Sequence, residues 1–242
     1  VLLLHGLGAD GSSWQLQFAP LAAAGLRPLA VDIPGFGQSA FAQGRWSIAG
    51  VAALLAEHLR QIAPQGGAVC GISMGGAIAL QLALDYPALC RRLVLVNTFA
   101  CLRPRRLNEW VYLLGRLLRA NLQGVEAQAS MVAWRIFPEA AQEELRRTLI
   151  QQIVNANPVV YRQAMRSLGA FDVRKRLRTV NCPVLVISGE RDTTVALANQ
   201  EELAQKIPAA RRVVIPNGGH AVLVDQPDLF NRALVDFLTQ KL

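Results

Sequence analysis

Short apolar runs alternate along this chain with longer segments of helical period. Runs rich in Val, Ile and Leu fall at about 1–5, 28–32, 67–72, 92–97, 183–189 and 212–216, and predict parallel strands. The clearest is Pro183-Val184-Leu185-Val186-Ile187, continuous and β-branched. Helix formers between them predict helices at about 13–24, 47–63, 75–86, 198–206 and 227–240. The segment Ala77–Leu84 is apolar almost all round, the mark of a buried helix, whereas Leu229–Leu238 is amphipathic and follows a capping turn at Asp225-Gln226-Pro227-Asp228. Strand and helix in regular alternation predict an α/β fold, a mostly parallel sheet with helices on both faces.

One interval breaks the alternation. From 99 to 180 there is no strand-like run, and Trp110–Leu118 and Ala140–Val154 carry helical patterns. The chain is therefore read as a core formed by 1–98 and 181–242, with a helical cap inserted at 99–180. At 242 residues it is long enough to bury a large core. Apolar residues reach 52%, yet no window approaches the uninterrupted length of a membrane span, and Val1–Leu4 is too short for a signal peptide.

The formal net charge of +8 is distributed unevenly. Residues 99–180 hold fourteen Arg or Lys against six Asp or Glu, while the rest holds eleven of each, so the whole excess belongs to the cap. Arg103, Arg105 and Arg106 cluster near its entry, and Arg174, Lys175, Arg176 and Arg178 near its exit. Such a surface is either simply solvated or a landing site for an anionic substrate, an acidic carrier or a lipid surface. No nucleic-acid motif accompanies it. The four cysteines, Cys70, Cys90, Cys101 and Cys182, show neither metal-like nor paired spacing, and Cys70 and Cys182 border strands as buried thiols would. Without a disulfide framework, a reducing, cytoplasmic interior is expected.

The candidate chemistry centres on Gly71-Ile72-Ser73-Met74-Gly75-Gly76, between a strand and a helix. A serine on so tight a turn is held in a strained conformation, and glycines two before and two after it leave the room required. Its hydroxyl projects above the sheet edge, toward the free N–H groups that open the helix. Ser73 is thus the candidate nucleophile. Of three histidines, His5 closes the first strand and His58 lies on the helical stripe Val51, Leu54, Leu55, Leu59, Ile62. His220 stands in the glycine-loosened loop after the last strand, where a base can reach over the sheet. For its acid partner, Glu190 and Asp192 both follow the 183–189 strand directly, at the edge where ligands collect in open α/β sheets, and spacing leaves both open.

These blocks together resemble the α/β-hydrolase superfamily, in the esterase-like branch with a helical cap. The resemblance rests on His5-Gly6-Leu7-Gly8, Asp32-Ile33-Pro34-Gly35-Phe36-Gly37-Gln38-Ser39, Gly71–Gly76, Gly189-Glu190-Arg191-Asp192 and Gly218-Gly219-His220, in the family's order. It implies a triad of Ser73, Asp192 and His220, with Asp192 preferred over Glu190. It also implies an oxyanion hole from the backbone N–H groups of Leu7 and Met74. The family places an antiparallel hairpin ahead of the His-Gly strand, so the resemblance predicts residues upstream of Val1. Serine at position 73 argues against the haloalkane dehalogenases and epoxide hydrolases of this fold, which carry aspartate there.

The expected chemistry is two-step acyl transfer on a small-molecule ester, with no metal or organic cofactor. Phe36, Phe99, Trp110, Met131, Trp134, Phe137 and Met165 are the candidates for lining the substrate pocket. The Asp32–Ser39 block with a basic helical cap also resembles the pimeloyl-carrier-protein methyl ester esterases, whose caps engage an acidic carrier protein. Enol-lactonases and C–C bond hydrolases share the triad, although the latter have Gly-Pro-Gly where this chain has Leu7-Gly8-Ala9. A hydrolase-like receptor that binds a small ligand is the alternative of another class, and turnover would separate it from an enzyme.

Overall fold

Side chains on a strand alternate between the two faces of a sheet, and in the central strands here both faces are apolar, whereas Val213 and Val214 near the sheet edge are exposed. In the computed structural model, which describes residues 1–41, 44–102, 111, 114–115, 124–208 and 210–240, this double burial organises the fold. The strands are β1 (Leu2–Leu4), β2 (Leu29–Val31), β3 (Gly67–Ile72), β4 (Cys90–Val96), β5 (Val184–Gly189) and β6 (Ala210–Ile215). Among the described residues they form one parallel sheet in the order β2-β1-β3-β4-β5-β6.

Leu2, Leu4, Val69, Leu93, Leu95, Val184 and Val186 face one layer, which contains α2 (Ile48–Ile62), α3 (Met74–Asp85) and α7 (Leu197–Lys206). Leu3, Cys70, Val94, Val96, Leu185 and Ile187 face the other, with α1 (Gln15–Ala23), α8 (Val222–Asp225) and α9 (Pro227–Thr239). Every residue of α3 from Met74 to Leu84 is buried, as its all-round apolar sequence demands. Helix α2 starts at Ser47, whose hydroxyl accepts from the Gly50 N–H at 3.0 Å. Its apolar stripe is wider than its buried face: Leu54 and Ile62 are 39% and 49% exposed, and His58 beside them faces solvent.

The strand order puts a switch point at β1 and β3. The chain leaves β1 toward β2 on one side, then crosses back to lay β3 on the other side. Loops after β1 and β3 therefore diverge and leave a crevice above the strand ends.

Between β4 and β5 the insertion carries α4 (Gly124–Ile136), α5 (Glu143–Asn155) and α6 (Pro158–Ala170). Most of the predicted helix Trp110–Leu118, together with Arg103, Arg105 and Arg106, lies outside the described residues. Glu139 and Gln142 form a reciprocal capping box ahead of α5, and Asn157 caps α6 by accepting from Val159 and Val160. The insertion packs onto the loops after β1 and β2. Asn157 N–H donates to Gly35 O at 2.9 Å, and a Cβ at Gly35, whose φ is +91°, would run into the Val160 side chain. Gln163 and Ser167 accept from the Trp46 and Ile48 N–H groups at 2.7 and 3.1 Å.

Two expectations need correction. The Asp225–Asp228 turn does not cap α9 through a side chain: Gln226 occupies the cap without such a bond, and Asp225 ends α8 with its carboxylate turned back to the Gly219 N–H. Nor are the cysteines all apart. The pairing of β4 with β5 brings Cys90 and Cys182 together, Sγ to Sγ 3.9 Å, and Cys182 is half-buried rather than fully buried. Among the described residues, no helix is long and apolar enough to cross a membrane.

Candidate active site

Ser73 sits between β3 and α3 with φ 53° and ψ −114°, a conformation rare for any residue but glycine. The surroundings hold it there. Its N–H donates to Val96 O at 2.9 Å, and its carbonyl accepts from Ala77 N–H at 3.0 Å and from the Thr98 hydroxyl at 2.7 Å. Gly75 is obligatory for a steric reason: a Cβ there would collide with the carbonyl oxygens of Leu4 and His5 at the end of β1. A Cβ at Gly71 would likewise strike the Gly75 carbonyl. The first turn of α3 is thus pressed against the β1 end at the switch point, and Gly6 lies beside Ser73.

Leu7 follows Gly6 on that β1 loop and lines the same cavity as Ser73. Met74 is the first residue of α3, so no carbonyl one turn earlier can take its N–H. The two sequence-predicted oxyanion donors are thus on the loop after β1 and at the first residue of α3, the two elements that meet beside Ser73.

Asp192 and His220 meet across the ends of β5 and β6. The His220 Nδ1 lies 3.1 and 3.0 Å from Asp192 Oδ1 and Oδ2, and both residues are buried. Asp192 is fixed from behind: Oδ1 accepts from the Thr194 and Val195 N–H groups at 2.8 and 3.0 Å, and Oδ2 from Gln200 Nε2 at 3.1 Å. Such a carboxylate selects the tautomer with the proton on Nδ1 and leaves Nε2 available. Glu190 is exposed and turned elsewhere, accepting from the Asn217 N–H at 2.9 Å.

His5 is buried, and burial drives its pKa down. Its Nε2 accepts from the Ile33 N–H at 3.0 Å, so Nδ1 donates to Gly6 O at 2.8 Å. A neutral imidazole there ties the β1 end to the β2 loop. Asp32 shapes that loop, accepting from the Gly11 and Gln38 N–H groups, each at 2.7 Å.

Ser73 and His220 open into one cavity of about 370 Å³. Its described walls include Ile72, Leu16, Val132, Ile136, Phe137, Leu145, Leu149 and Leu223, and Ser12, Thr148, Gln152 and Thr194 supply polar groups. No Asp, Glu, Lys or Arg is among them.

Of the seven residues predicted for the pocket, Phe137 lines this cavity. Phe36 is in the core, packed edge-on against His5 and Trp46. Phe99 packs against Phe171, and Met165 is buried beside Gln128. Trp134 points outward, 56% exposed, with the Arg146 guanidinium 4.0 Å over its ring. Met131 is half-buried outside the described cavity walls, and Trp110 lies outside the described residues.

Three residues around the site escaped the sequence reading. Asn97, buried and with φ 42°, accepts from the Gly189 N–H at 2.8 Å and donates to Gly219 O and His220 O at 2.9 and 2.7 Å. It ties the ends of β4 and β5 to the His220 loop. Gln200 backs Asp192. Asp225 accepts from the Gly219 N–H and from Gln142 Nε2 of the insertion, each at 3.0 Å, and burial raises its pKa to about 6. The positive-φ signal of an Asn directly after a strand was the one available clue to Asn97.

Comparison with known proteins identifies the family and fold. The chain is 31% identical over 246 residues to RutD of Variovorax paradoxus, provisionally named a carbamate hydrolase, covering 99% of this chain and 91% of that protein. It is 28% identical over 247 residues to a pimeloyl-[acyl-carrier protein] methyl ester esterase of Aeromonas hydrophila, covering 98% and 94%. The crystal structure of an enol-lactonase from Burkholderia xenovorans LB400 superposes with a TM-score of 0.89 at 28% identity, covering 99% of this chain and 90% of that one. A family model described as the alpha/beta hydrolase family matches residues 1–233. A six-stranded parallel sheet, a helical insertion between β4 and β5, and a match over nearly the full length lead to one conclusion: the chain belongs to the alpha/beta hydrolase family.

Proposed function

We propose that the protein is a serine hydrolase that cleaves carboxylic esters with uncharged, modest-sized acyl groups through an acyl-enzyme. The observation that carries this reading is the convergence of Ser73 and the Asp192-bound His220 on one cavity without charged described walls. His220 Nε2 takes the Ser73 proton as the hydroxyl attacks the ester carbonyl, while Asp192 holds Nδ1–H and stabilises the imidazolium. The Leu7 and Met74 N–H groups bind the developing oxyanion, a single such donor being worth about 2.7–4 kcal/mol in the transition state. His220 then protonates the leaving alcohol and activates water for deacylation. Residues 99–180 serve as the cap, with Val132, Phe137 and Leu149 roofing the acyl pocket over the 1–98 and 181–242 core.

A fluorophosphonate probe is expected to label the protein once and to leave Ser73→Ala unlabelled. That variant folds normally, because it removes one hydroxyl and no core volume. Labelling that persists in Ser73→Ala would refute the assignment. Sustained turnover of p-nitrophenyl esters separates an enzyme from a ligand receptor, which completes few cycles.

A second reading concerns the natural substrate. The described cavity walls are uncharged while 99–180 carries a net +8, which suits an ester whose acyl end enters while an acidic carrier rests on the cap. Arg174 and Arg176 are engaged with Asp172 and Asp85, and the test takes the sequence cluster Arg103, Arg105 and Arg106, which lies outside the described residues. With screening over about 8 Å at physiological salt, kcat/KM for a carrier-bound methyl ester should fall as salt rises, and that for a neutral short ester should not. Replacing the three arginines with Gln should reproduce the loss for the carrier-bound ester alone. An equal salt response for both esters would return the cap charge to a solvated surface.

A further inference from the structure

The ends of β4 and β5 remote from the candidate active site hold a pair of thiols with no part in ester hydrolysis. Cys90 opens β4, and Cys182 stands two residues ahead of β5. The two strands are sheet neighbours in the register Leu93↔Val184, and the Leu93 N–H donates to Pro183 O at 3.0 Å. This pairing holds the backbones side by side and leaves the sulfurs 3.9 Å apart. We propose that Cys90 and Cys182 are a reversible dithiol–disulfide site, which a low-molecular-weight disulfide such as oxidised glutathione converts to a cross-link around the whole 90–182 segment.

The two thiols are unequal in a way that sets the order of events. Cys182 is half-buried, so a small disulfide can reach it, whereas Cys90 is 2% exposed. The hydrogen-bonding contact between the two sulfurs draws the Cys182 thiol below its ordinary range, and the same contact together with burial pushes the Cys90 thiol up. Cys182 is therefore the attacking thiolate and Cys90 the resolving thiol. The Cys182 thiolate attacks one sulfur of oxidised glutathione, its S–S bond breaks, and the released glutathione thiolate takes up a proton. Cys90 then gives its proton to solvent and attacks the Cys182 sulfur of the mixed disulfide, releasing the second glutathione. Two protein thiols are oxidised and one glutathione disulfide becomes two glutathiones.

Closing the ring requires the sulfurs to approach by roughly 2 Å, within reach of side-chain rotation between two paired strands. The ring would enclose α4, α5 and α6, so its main effect is on the unfolded chain, which loses the freedom of a very long loop. Cys70 lies in the sheet core and stays a thiol.

The test is incubation of the full chain with oxidised glutathione, followed by thiol counting in denaturant, intact mass and peptide mapping without reductant. The expected result is a fall from four thiols to two, loss of the mass of two hydrogens, and a single Cys90–Cys182 linked peptide. Tm should rise by about 5–10 °C and return with dithiothreitol. Cys90→Ser should stop at a stable glutathione adduct on Cys182, and Cys182→Ser should stay largely unmodified. A persistent adduct in the wild type, a link between other cysteines, unchanged thiols, or cross-linking without a rise in Tm would each overturn the proposal.

Discussion

Asn97 offers the sharpest test of how the site is held. Asn97→Ala deletes three hydrogen bonds, the buried ones to the Gly189 N–H and the His220 carbonyl and a partly buried one to the Gly219 carbonyl. The orphaned Gly189 N–H costs about 1–3 kcal/mol, and the two carbonyls lose about 1 kcal/mol each. Alanine at φ 42° adds about 1 kcal/mol of left-handed strain. The sum, about 4–6 kcal/mol, is a large part of the roughly 5–15 kcal/mol that holds a domain folded. Asn97→Gly loses the same bonds without the strain, so it should be about 1 kcal/mol more stable than the alanine variant, against the usual preference for alanine. Urea unfolding with linear extrapolation reads both differences, provided the slope is unchanged. Because the same side chain fixes His220 relative to the strand that leads to Asp192, kcat for a p-nitrophenyl ester should fall by about 10² with KM little altered. An alanine variant within about 1 kcal/mol of wild type, or a glycine variant less stable than the alanine one, would refute this reasoning.

Asp192→Asn should lower kcat by about 10⁴ by allowing the wrong His220 tautomer. Glu190→Gln, whose parent carboxylate accepts from the Asn217 N–H instead, should stay near wild type; the reverse ranking in steady-state ester kinetics would move the acid. Asp225 gives a pH signature. Burial raises its pKa from an ordinary 3.8 to about 6, so between these values the folded protein holds a proton that the unfolded chain releases. Its contribution to stability therefore falls as pH rises from about 4 to 6 and stays low above that window. Asp225→Asn should remove this fall from a plot of Tm against pH, and an unchanged plot would rule the carboxyl out as its source.

Much of this was legible in the chain because it depends on neighbours a few residues away. Apolar runs of strand length, helix formers between them and glycines around Ser73 are local patterns, and each strand and, apart from the short α8, each core helix lies within a few residues of its expected place. Ser47 ahead of α2 and Asn157 ahead of α6 cap their helices by similarly local bonds. What remained open was decided by contacts between distant segments. Spacing could not choose between Glu190 and Asp192, since the choice depends on how the β5 end turns to meet a loop 28 residues onward. The same is true of Phe36, Phe99 and Met165, apolar residues that helix rotation and loop packing turned into the core instead of the cavity. Cys90 and Cys182 are 92 positions apart and meet only because β4 and β5 pair in one register. Periodicity reports which face of its own element a residue occupies; what that face meets is determined by sheet order, register and packing, which arise only when the whole chain closes on itself.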